Sequence, residues 1–371
     1  MRRERVVCAM SGGVDSSVAA ALLVAAGYEV VGITLEIWPA RSPEAMAHHN
    51  GCCGLGAVED ARRVAERLGI AHYTLNMREA FQRAVIDPFR AEYHAGRTPN
   101  PCVNCNRFVK FDTLLAAAGD LGASILATGH YARIDDRDGR WRLRRAVDPR
   151  KDQSYVLYGI DPRVLGRLRF PVGELTKDAV RARARALGLL TADKPDSQEI
   201  CFVPGDYRRI VGEAPPARFC DLAGRDLGPA PPITHFTVGQ RRGIGLAGAR
   251  PYYVVAIRPG RIVLGGREDL EVRRFELDDL SWIEPVPEDR DLEVMVRAHG
   301  TGVPARVELT PTGARVWARS PLSAVTPGQA AVFYDGDAVV GGGRIVAVPV
   351  RGGCGSEVAP SRSGQTGSPG D

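Results

Sequence analysis

The residues with the clearest chemistry form a short polar loop near the N-terminus, where Ser11 to Ser17 read SGGVDSS. An apolar run, Arg5–Met10, precedes this loop, and the helical pattern VAAALLVAAG follows it. Two glycines let backbone N–H groups approach an anion, the serine hydroxyls add donors, and the start of a helix contributes partial positive charge. The loop lacks the Gly-Lys-Ser/Thr ending of a Walker motif, so it predicts a nucleotide cradle that does not grip a transferable γ-phosphate.

Cysteines form a second group that could do chemistry. Cys102 and Cys105 have C-x-x-C spacing in GRTPNPCVNCNRFVKFD, in a turn rich in Pro and Asn just before a predicted helix. Helix-proximal N–H groups and nearby Arg and Lys side chains lower a thiol pKa, which favours a nucleophile or a metal ligand. Zinc would need a second such pair, and the chain has no other C-x-x-C or C-x-x-H. Cys201, in DSQEICF, is by itself typical of a buried core cysteine.

The composition is that of an ordinary folded protein. The chain has 371 residues, 44% hydrophobic and 25% charged, so two or three domains are expected. Its net charge of +5 permits a polyanionic partner without requiring one. No apolar run reaches membrane-spanning length and the N-terminus lacks a signal-peptide pattern, which predicts a cytoplasmic protein without a membrane partner. Eight cysteines in so long a chain favour metal or sulfur chemistry over a disulfide framework.

The elements that must position these groups alternate in the first half of the chain. The predicted strands are Arg5–Met10, Glu29–Leu35, His72–Leu75 and Ser124–Thr128, and the predicted helices are Val14–Ala26, Ala57–Leu68 and Phe111–Leu121. This alternation predicts the α/β class, with a doubly wound parallel sheet that binds ligands at the carboxyl ends of its strands. One such end carries ATGHYAR, where Gly129 could admit an adenine or ribose and His130 is either functional or structural.

The second half changes to short strands between Gly- and Pro-rich turns. The predicted strands are His235–Val238, Tyr252–Ile257 and Arg261–Leu264, then Leu292–Ala298, Ala305–Leu309, Ala314–Ala318, Ala330–Tyr334 and Val339–Val346. Hairpin turns are expected at Arg258–Arg261 and at Asp335-Gly336. The evenly spaced strands predict a small C-terminal β-barrel. The domain boundaries expected from this pattern are 1–204, 205–274 for a small central or linker domain and 275–350 for the barrel, with 351–371 disordered.

Six motifs in order resemble the bacterial tRNA-specific 2-thiouridylase family of PP-loop ATPases: SGGVDSS, GRTPNPCVNCN, ATGHYAR, DPRKDQSYVLY, DSQEICF and FTVGQRRGIGL. The resemblance covers residues 5 to 346. It implies that ATP adenylates O2 of the wobble uridine and that a cysteine persulfide sulfur then replaces the activated oxygen. It also implies ATP and Mg²⁺ as cofactors, with Asp15 a candidate for holding magnesium or water on the pyrophosphate. The implied partners are the tRNA anticodon arm and a sulfur-donor or relay protein.

The resemblance also assigns roles to residues of this chain. Cys105 matches the nucleophilic cysteine and Cys201 the cysteine that carries the persulfide, and the two form a disulfide in that mechanism. The residues implied in ATP binding are Ala9, where the family often has glycine, Met10, Ser11, Gly12, Gly13, Val14, Asp15, Ser16, Ser17, Leu35 and Gly129. Those implied in contacting the target base or the tRNA are Asn100, Pro101, Cys102, His130, Lys151, Asp152, Gln153, Ser154 and Gln329.

One position departs from the family. Where well-described members carry Asn-Pro-Asp, this chain has Asn-Pro-Cys, ending at Cys102. The change replaces an acid–base carboxylate and creates a set of three thiols with Cys105 and Cys201. Three cysteines suit a 4Fe–4S cluster with one open iron that carries a hydrosulfide. Two mechanisms are therefore expected as alternatives: a persulfide relay through a Cys105–Cys201 disulfide, or delivery of cluster-bound sulfide.

Two other functions remain open at this stage. A PP-loop ligase would adenylate a carboxylate or base for attack by an amine, and it would need no catalytic thiol. A noncatalytic RNA-binding protein would use the cysteines for a structural metal and the loop for phosphate. A sulfurtransferase should lose activity when Cys201 is replaced, whereas the ligase should not. Both enzymes should turn over ATP, whereas the noncatalytic protein should not.

Overall fold

The structure, a computed structural model, describes residues 3–37, 55–196, 200–203, 205–246, 248 and 250–350. The described residues of the first part of the chain form seven strands: β1 (Arg5–Ala9), β2 (Glu29–Glu36), β3 (Ala71–Asn76), β4 (Ile125–Thr128), β5 (Arg133–Arg137), β6 (Arg140–Arg144) and β7 (Leu168–Arg169). Five of them form a parallel sheet in the order β3-β2-β1-β4-β7. The predicted parallel sheet is confirmed.

Helices cover both faces of this sheet. They are α1 (Val14–Ala25), α2 (Leu55–Leu68), α3 (Arg78–Phe81), α4 (Asp87–His94), α5 (Pro101–Asn104), α6 (Asp112–Asp120), α7 (Lys177–Ala186) and α8 (Arg208–Val211). Alternate residues of β1 serve different cores: Val6 packs with residues of α1, α2 and α7, whereas Val7 packs with Leu114 of α6. Because apolar cores lie on both faces, the sheet is doubly wound, as the sequence predicts.

The helix that carries the paired cysteines begins ten residues earlier than expected. α5 starts at Pro101, a π-helical stretch (Cys105–Phe111) continues it, and α6 completes it. The Asn100 side chain accepts the backbone N–H of Cys102 at 3.2 Å and caps the helix. Asparagine at the cap and proline at the first position are a helix-start signal. The prediction that Cys102 and Cys105 lie in a turn before the helix is therefore wrong, because both lie within it.

A separate four-stranded sheet follows, made of β8 (Ala217–Asp221), β9 (Asp226–Ala230), β10 (Tyr253–Arg258) and β11 (Arg261–Gly265). The predicted hairpin turn at Arg258–Arg261 is confirmed. The predicted strand at His235–Val238 is wrong, because Ile233–His235 is a 3₁₀ turn and the next three residues pair with no strand. Phe236 is buried there against Phe219 of β8, so the apolar pattern reflects packing of a loop on the sheet.

The C-terminal strands close into a six-stranded antiparallel barrel, which confirms the predicted barrel. They are β12 (Glu271–Trp282), β13 (Leu292–Met295), β14 (Val303–Thr310), β15 (Gly313–Ser323), β16 (Ala330–Asp335) and β17 (Ala338–Ala347). The order is β12-β15-β14-β13-β16-β17, and β17 pairs back with β12. The sequence pattern missed β12. The segment 351–371, expected to be disordered, lies outside the described residues.

The hairpin β5–β6 from the first part of the chain extends the barrel sheet. Arg144 of β6 pairs with Ala338 of β17, and the Asp337 carboxylate accepts hydrogen bonds from Arg133 at 2.6 Å and from Arg144 at 2.7 Å. Asp138 and Gly139 form the hairpin turn with positive φ values of 56° and 76°, a signal that the sequence carries. These contacts join the barrel to the hairpin β5–β6, which directly follows β4 in the chain. Among the described residues, no helix is long and apolar enough to cross a membrane.

Candidate active site

The polar loop lies between the end of β1 and the start of α1, as predicted. The Ser16 hydroxyl oxygen accepts the backbone N–H of Ser11 at 3.1 Å, and the Ser17 hydroxyl donates to the carbonyl of Gly13 at 2.8 Å. These bonds fold the loop around the first turn of α1, which begins at Val14. The positive end of the helix dipole therefore faces the space that the loop encloses, where an anionic phosphate is favoured.

Two glycines make this packing fit. Gly12 has a φ of +65°, and a Cβ at this position would collide with the backbone carbonyl of Ala57 in α2. A Cβ at Gly129 would lie 2.6 Å from the backbone nitrogen of Ser16. Gly129 thus lets the end of β4 approach the start of α1 directly. The two motifs at which the sequence predicts nucleotide binding are brought together at one edge of the sheet.

The other residues implied in ATP binding flank this edge. Met10 and Val14 have buried side chains, exposed by 2% and 3%, so these side chains pack in the core. The Met10 carbonyl accepts the Thr34 hydroxyl at 2.7 Å, which joins the ends of β1 and β2. Ala9 and Leu35 are half-buried at the same two strand ends. Leu35 also packs against the apolar cluster around the cysteine helix, so it lies between the two parts of the site.

A buried lysine that sequence reasoning missed holds the loop aspartate. Lys177, the first residue of α7, donates from Nζ to both carboxylate oxygens of Asp15, at 2.7 and 2.9 Å. The Tyr131 hydroxyl donates to the same carboxylate at 2.7 Å, and burial raises the pKa of this phenol. Lys177 is one of only four lysines in the chain, which is the single sequence signal that could have marked it.

A second carboxylate extends this charge network. Asp196 accepts Nζ of Lys177 at 2.8 Å, Nζ of Lys151 at 2.7 Å and the guanidinium of Arg181 at 2.8 Å. Burial alone would raise the pKa of Asp196, but the two lysines outweigh it and lower the pKa to about 2. The carboxylate is therefore ionised at neutral pH and holds three cations around it.

Lys194, two residues before Asp196, attaches this part of the chain to the phosphate loop. Its Nζ donates to the carbonyl of Gly12 at 3.0 Å and to the Asp60 carboxylate of α2 at 2.7 Å. A lysine bonded to a loop carbonyl and a helix carboxylate fixes all three elements relative to one another. The side chains of Lys194 and Asp60 are both largely buried, so solvent screens this contact only weakly.

The structure brings Cys105 and Cys201 into one apolar cluster. Cys105 is buried with Phe81, Phe89 and Phe202, and Cys201 packs against the edge of the same cluster. The rings of Phe81 and Phe89 contact Phe202 edge-on, with centroids 5.5 and 5.3 Å apart. Two of the three candidate thiols thus share an environment from which water is largely excluded.

Cys102 lies elsewhere on the helix, with an exposed side chain. In the part of the chain that the structure describes, no group of three or more His, Cys, Asp or Glu side chains is placed to hold a metal ion. The ligand set of Cys102, Cys105 and Cys201 therefore stays a prediction. Cys105 and Cys201 belong to the phenylalanine cluster, whereas the Cys102 side chain is exposed.

The segment before the cysteine helix is held by the barrel. The Gln329 amide donates to the carbonyls of Thr98 and Pro99, at 2.8 and 3.2 Å, and the Thr98 N–H donates to the carbonyl of Pro327 at 2.8 Å. Gly328 has a φ of +93°, and a Cβ there would lie 2.9 Å from the backbone of Thr98. Gln329, which the resemblance implies as a tRNA contact, therefore lies beside the helix that carries Cys105.

His130 lies at the end of β4 between two aromatic rings. Its centroid is 6.0 Å from those of Phe111 and Phe170, and its Nδ1 is 2.7 Å from the Thr128 hydroxyl. Burial, assisted by the charge of Lys110, lowers the pKa of His130 well below its usual value. The imidazole is therefore neutral at pH 7.

The stretch from Lys151 to Ser154 is built into the protein core. The Asp152 carboxylate accepts the Ser154 hydroxyl at 2.7 Å, and the same hydroxyl is 3.2 Å from the hydroxyl of buried Tyr334 in the barrel. Ser154 has no exposed surface. Gln153 is exposed, while its side-chain amide oxygen, Oε1, accepts the backbone N–H of Tyr131 at 2.9 Å. Of this stretch, Lys151 and Gln153 lie closest to the surface.

Comparison with known proteins agrees with this architecture. A family model described as the tRNA methyl transferase HUP domain matches residues 4–205, and one described as the aminomethyltransferase β-barrel domain matches residues 272–345. The two matched segments contain the doubly wound sheet and the closed barrel, respectively.

Curated relatives match nearly the whole chain. A protein of Carboxydothermus hydrogenoformans is 49% identical over 356 residues, covering 92% of this chain and 98% of that protein. A Heliobacterium modesticaldum protein is 48% identical and covers 93% of both chains. One from Chloroflexus aggregans is 49% identical and covers 92% of this chain and 98% of its own. All three are named tRNA-specific 2-thiouridylase MnmA. With this identity over almost its full length, the chain belongs to the tRNA-specific 2-thiouridylase family.

Proposed function

We propose that this protein is an ATP-dependent sulfurtransferase that converts the wobble uridine of tRNA to 2-thiouridine. The observation that carries the proposal is the meeting of two unlike groups at one sheet edge. A loop suited to phosphate lies at the ends of β1 and β4, and the helix beside it carries a buried cysteine that shares an apolar cluster with Cys201. The names of the relatives supply the substrate.

The first step is activation of the uridine. O2 of the base attacks the α-phosphorus of ATP, and pyrophosphate leaves, so that a poor leaving group becomes AMP. The loop from Ser11 to Ser17 and the start of α1 hold the phosphates through backbone N–H groups and hydroxyls. Asp15 is the loop carboxylate that would hold Mg²⁺ bound to the nucleotide, and magnesium supplies charge neutralisation on the phosphates. Gly129 and Leu35 border the nucleoside.

The second step transfers sulfur. The terminal sulfur of a Cys201 persulfide attacks C2, and AMP leaves with the oxygen. The Cys105 thiolate then attacks Sγ of Cys201, which breaks the S–S bond to the base, releases 2-thiouridine and forms a Cys105–Cys201 disulfide. A dithiol reductant and a sulfur-donor protein reset the enzyme. The phenyl cluster around both thiols supports this route because excluding water protects the adenylate from hydrolysis.

The position of Cys102 favours the persulfide relay over cluster-bound sulfide. The Cys102 side chain is exposed, whereas Cys105 is buried in the phenylalanine cluster and Cys201 is half-buried at its edge. The relay assigns Cys102 to the segment that meets the base, together with Asn100 and Pro101. There its thiol takes the place of the carboxylate that other members use in proton transfer.

We assign tRNA docking to two regions, the edge of the parallel sheet and the barrel. Lys151, Gln153 and His130 approach from the sheet edge, and Gln329 approaches from the barrel. Because Gln329 also bonds the segment before the cysteine helix, RNA that engages this residue acts directly on the helix. Binding through phosphates makes the affinity depend on salt.

The test is reconstitution with unmodified tRNA, ATP and a persulfide donor, followed by mass spectrometry of the nucleosides. Wild-type protein should form 2-thiouridine and release AMP. AMP release without 2-thiouridine under any sulfur supply would favour the ligase alternative, and absence of both would favour a noncatalytic RNA-binding protein.

The variant Cys102→Asp distinguishes the two sulfur routes. It is purified anaerobically alongside the wild type. The relay predicts an active variant and no iron in either protein, measured by metal analysis and by visible absorbance. A wild type that holds iron, together with an inactive and iron-free variant, would reverse the assignment in favour of a cluster.

A further inference from the structure

The four residues that lead into the cysteine helix form a stiff stretch of chain. Residues 98–101, which we call the entry segment, read Thr-Pro-Asn-Pro. Each proline fixes its own φ and keeps the residue before it out of the helical region. Asn100 is extended, with φ −107° and ψ 92°, and its side chain caps the helix at the N–H of Cys102. A displacement at Thr98 is therefore passed on to the start of the helix.

The barrel binds the entry segment through three hydrogen bonds. They come from residues 326–329, which precede β16 and which we call the barrel turn. Nε2 of Gln329 donates to the carbonyls of Thr98 and Pro99, at 2.8 and 3.2 Å. The carbonyl of Pro327 accepts the N–H of Thr98 at 2.8 Å. A glutamine amide has two N–H groups, so both donors of Gln329 are directed at the entry segment.

The barrel turn is itself fixed to the barrel. Ile345 of β17 donates its N–H to the carbonyl of Gln329 and accepts the N–H of Gly328, both at 2.8 Å. Gly328 has a φ of +93°, and a Cβ there would lie 2.9 Å from the backbone of Thr98. The barrel turn and the entry segment thus touch backbone to backbone, and neither can move toward the other.

A second contact holds the chain just before the entry segment. The Glu92 carboxylate of α4 accepts Nε of Arg97 at 2.6 Å, and it also lies 3.4 Å from the guanidinium of Arg344 in β17. Arg344 is paired in turn with Asp278 of β12 at 2.7 Å. The Glu92 side chain is only 12% exposed, so solvent screens these charges weakly. The barrel therefore fixes both the entry segment and the residue that precedes it.

We infer that Gln329 and Gly328 are positioning residues that hold the entry segment and the start of the cysteine helix against the target base. The barrel then contributes to the chemical steps as well as to the docking of tRNA. The inference rests on the proposed function, which assigns Asn100, Pro101 and Cys102 to the base. It gives the Gln329 amide a partner within the protein, where the resemblance implies RNA.

The first test separates positioning from RNA contact by kinetics. Gln329→Met keeps a side chain of similar size and removes both donors. At saturating tRNA, the single-turnover rates of AMP release and of 2-thiouridine formation should both fall by about tenfold, as expected for the loss of two hydrogen bonds. An unchanged rate at saturating tRNA would overturn the inference. If a weaker tRNA Kd accompanies that unchanged rate, Gln329 is a tRNA contact only.

A pair of glycine variants tests the backbone contact independently. Gly328→Ala places a methyl group against the backbone of Thr98, so the same rates should fall. The matched control is Gly336→Ala in the turn between β16 and β17. Gly336 also has a positive φ, of +61°, but a Cβ there meets no atom of the described residues within 4 Å. Equal rates in the two variants would contradict the role of Gly328.

Hydrogen–deuterium exchange of the free protein gives a readout without activity. The N–H groups of Cys102 and Val103 bond to Asn100, at 3.2 Å each. In Gln329→Met, exchange at these two positions should rise by about tenfold together with exchange at Thr98, while β1 keeps its protection and so shows that the fold is intact. Faster exchange at Thr98 alone, or at none of the three, would refute the transmission to the helix.

Failure of the proposed function looks different from failure of this inference. If the function is wrong, the wild type itself forms no 2-thiouridine, whereas the exchange at Cys102 and Val103 still reports whether the barrel turn holds the helix start.

Discussion

The two halves of the candidate active site are built from opposite kinds of side chain. At the phosphate loop, Asp15, Lys177 and Asp196 form a half-buried network of alternating charge, and Lys194 pairs with Asp60 beside it. At the cysteine helix, Cys105 is buried among Phe81, Phe89 and Phe202. The phosphate loop lies at the ends of β1 and β4, and Leu35, at the end of the neighbouring strand β2, packs against the cysteine cluster.

The difference reflects the two reactions that the halves carry out. Adenylation moves negative charge onto pyrophosphate, and fixed cations and dipoles stabilise such charge without rearrangement. Sulfur transfer requires that water does not reach an activated base, and buried rings exclude water better than charged groups. Substitutions in the charged half should therefore alter AMP formation, whereas substitutions in the apolar half should alter sulfur transfer or stability.

The largest effect is expected in the apolar half. Cys105→Ser removes the thiol that resolves the persulfide adduct, while serine is close in size. Formation of 2-thiouridine should fall by about a thousandfold or more, with AMP release nearly unchanged. Cys220→Ser is the control, because Cys220 is buried in the separate four-stranded sheet. Equal losses in the two variants would mean that a buried serine, and not the missing nucleophile, causes the defect.

The next largest effect should come from the charged half. Asp15→Ala removes the loop carboxylate and leaves the Lys177 ammonium with one carboxylate fewer. AMP formation should fall by about a hundredfold to a thousandfold, and tRNA affinity in a filter-binding assay should not change. Asp178→Ala serves as the control, since Asp178 is 88% exposed on α7 beside Lys177. Normal tRNA-dependent AMP release by Asp15→Ala would show that the loop does not take part in adenylation.

The charged half shows what sequence patterns can predict. The loop, its strand and its helix are contiguous, so local periodicity and turn chemistry identify them. The partners of the charge network are not contiguous in sequence. Lys177 is 162 residues from Asp15, and no neighbouring residue marks Lys177 as a contact of the loop. Contacts of this kind depend on how α7 packs against the sheet, and no local pattern contains that information.

The apolar half was predicted less well for a different reason. The Asn100-Pro101 helix start is a local signal that the interpretation passed over, and it misplaced both cysteines relative to the helix. The three-thiol cluster stays a prediction, because spacing along the chain does not tell which face of a helix is buried. That face depends on Phe81, Phe89 and Phe202, which come from two distant segments.

A moderate effect, on stability, should follow truncation in the apolar half. Phe202→Ala removes a fully buried ring that contacts Phe81 and Phe89 edge-on. The free energy of unfolding in urea should fall by about 3 kcal/mol or more, as is usual for a large cavity in a core. Phe108→Ala is the matched control, because Phe108 is 45% exposed and its loss should cost less than about 0.5 kcal/mol. Equal destabilisation would show that the cluster is not a cooperative core.

The smallest effect concerns His130, which belongs to both halves: it follows a strand that ends at the phosphate loop, and its ring lies between Phe111 and Phe170. Burial, then the charge of Lys110, holds its folded-state pKa well below the usual value, which is about 6.5 in an unfolded chain. As the pH falls below about 6.5, the unfolded chain binds a proton that the folded protein does not. The folded state therefore loses stability on acidification.

His130→Gln removes this proton linkage, so wild type should lose more unfolding free energy than the variant between about pH 8 and pH 5.5. The measurement is the urea midpoint at a series of pH values. His72 and His235, whose pKa values burial also lowers, remain in both proteins and cancel in the difference. His235→Gln should give a smaller difference, because the pKa of His235 is lowered less than that of His130. Parallel pH profiles for wild type and His130→Gln would show that the imidazole accepts a proton in the folded state, and that the apolar half does not extend to the end of β4.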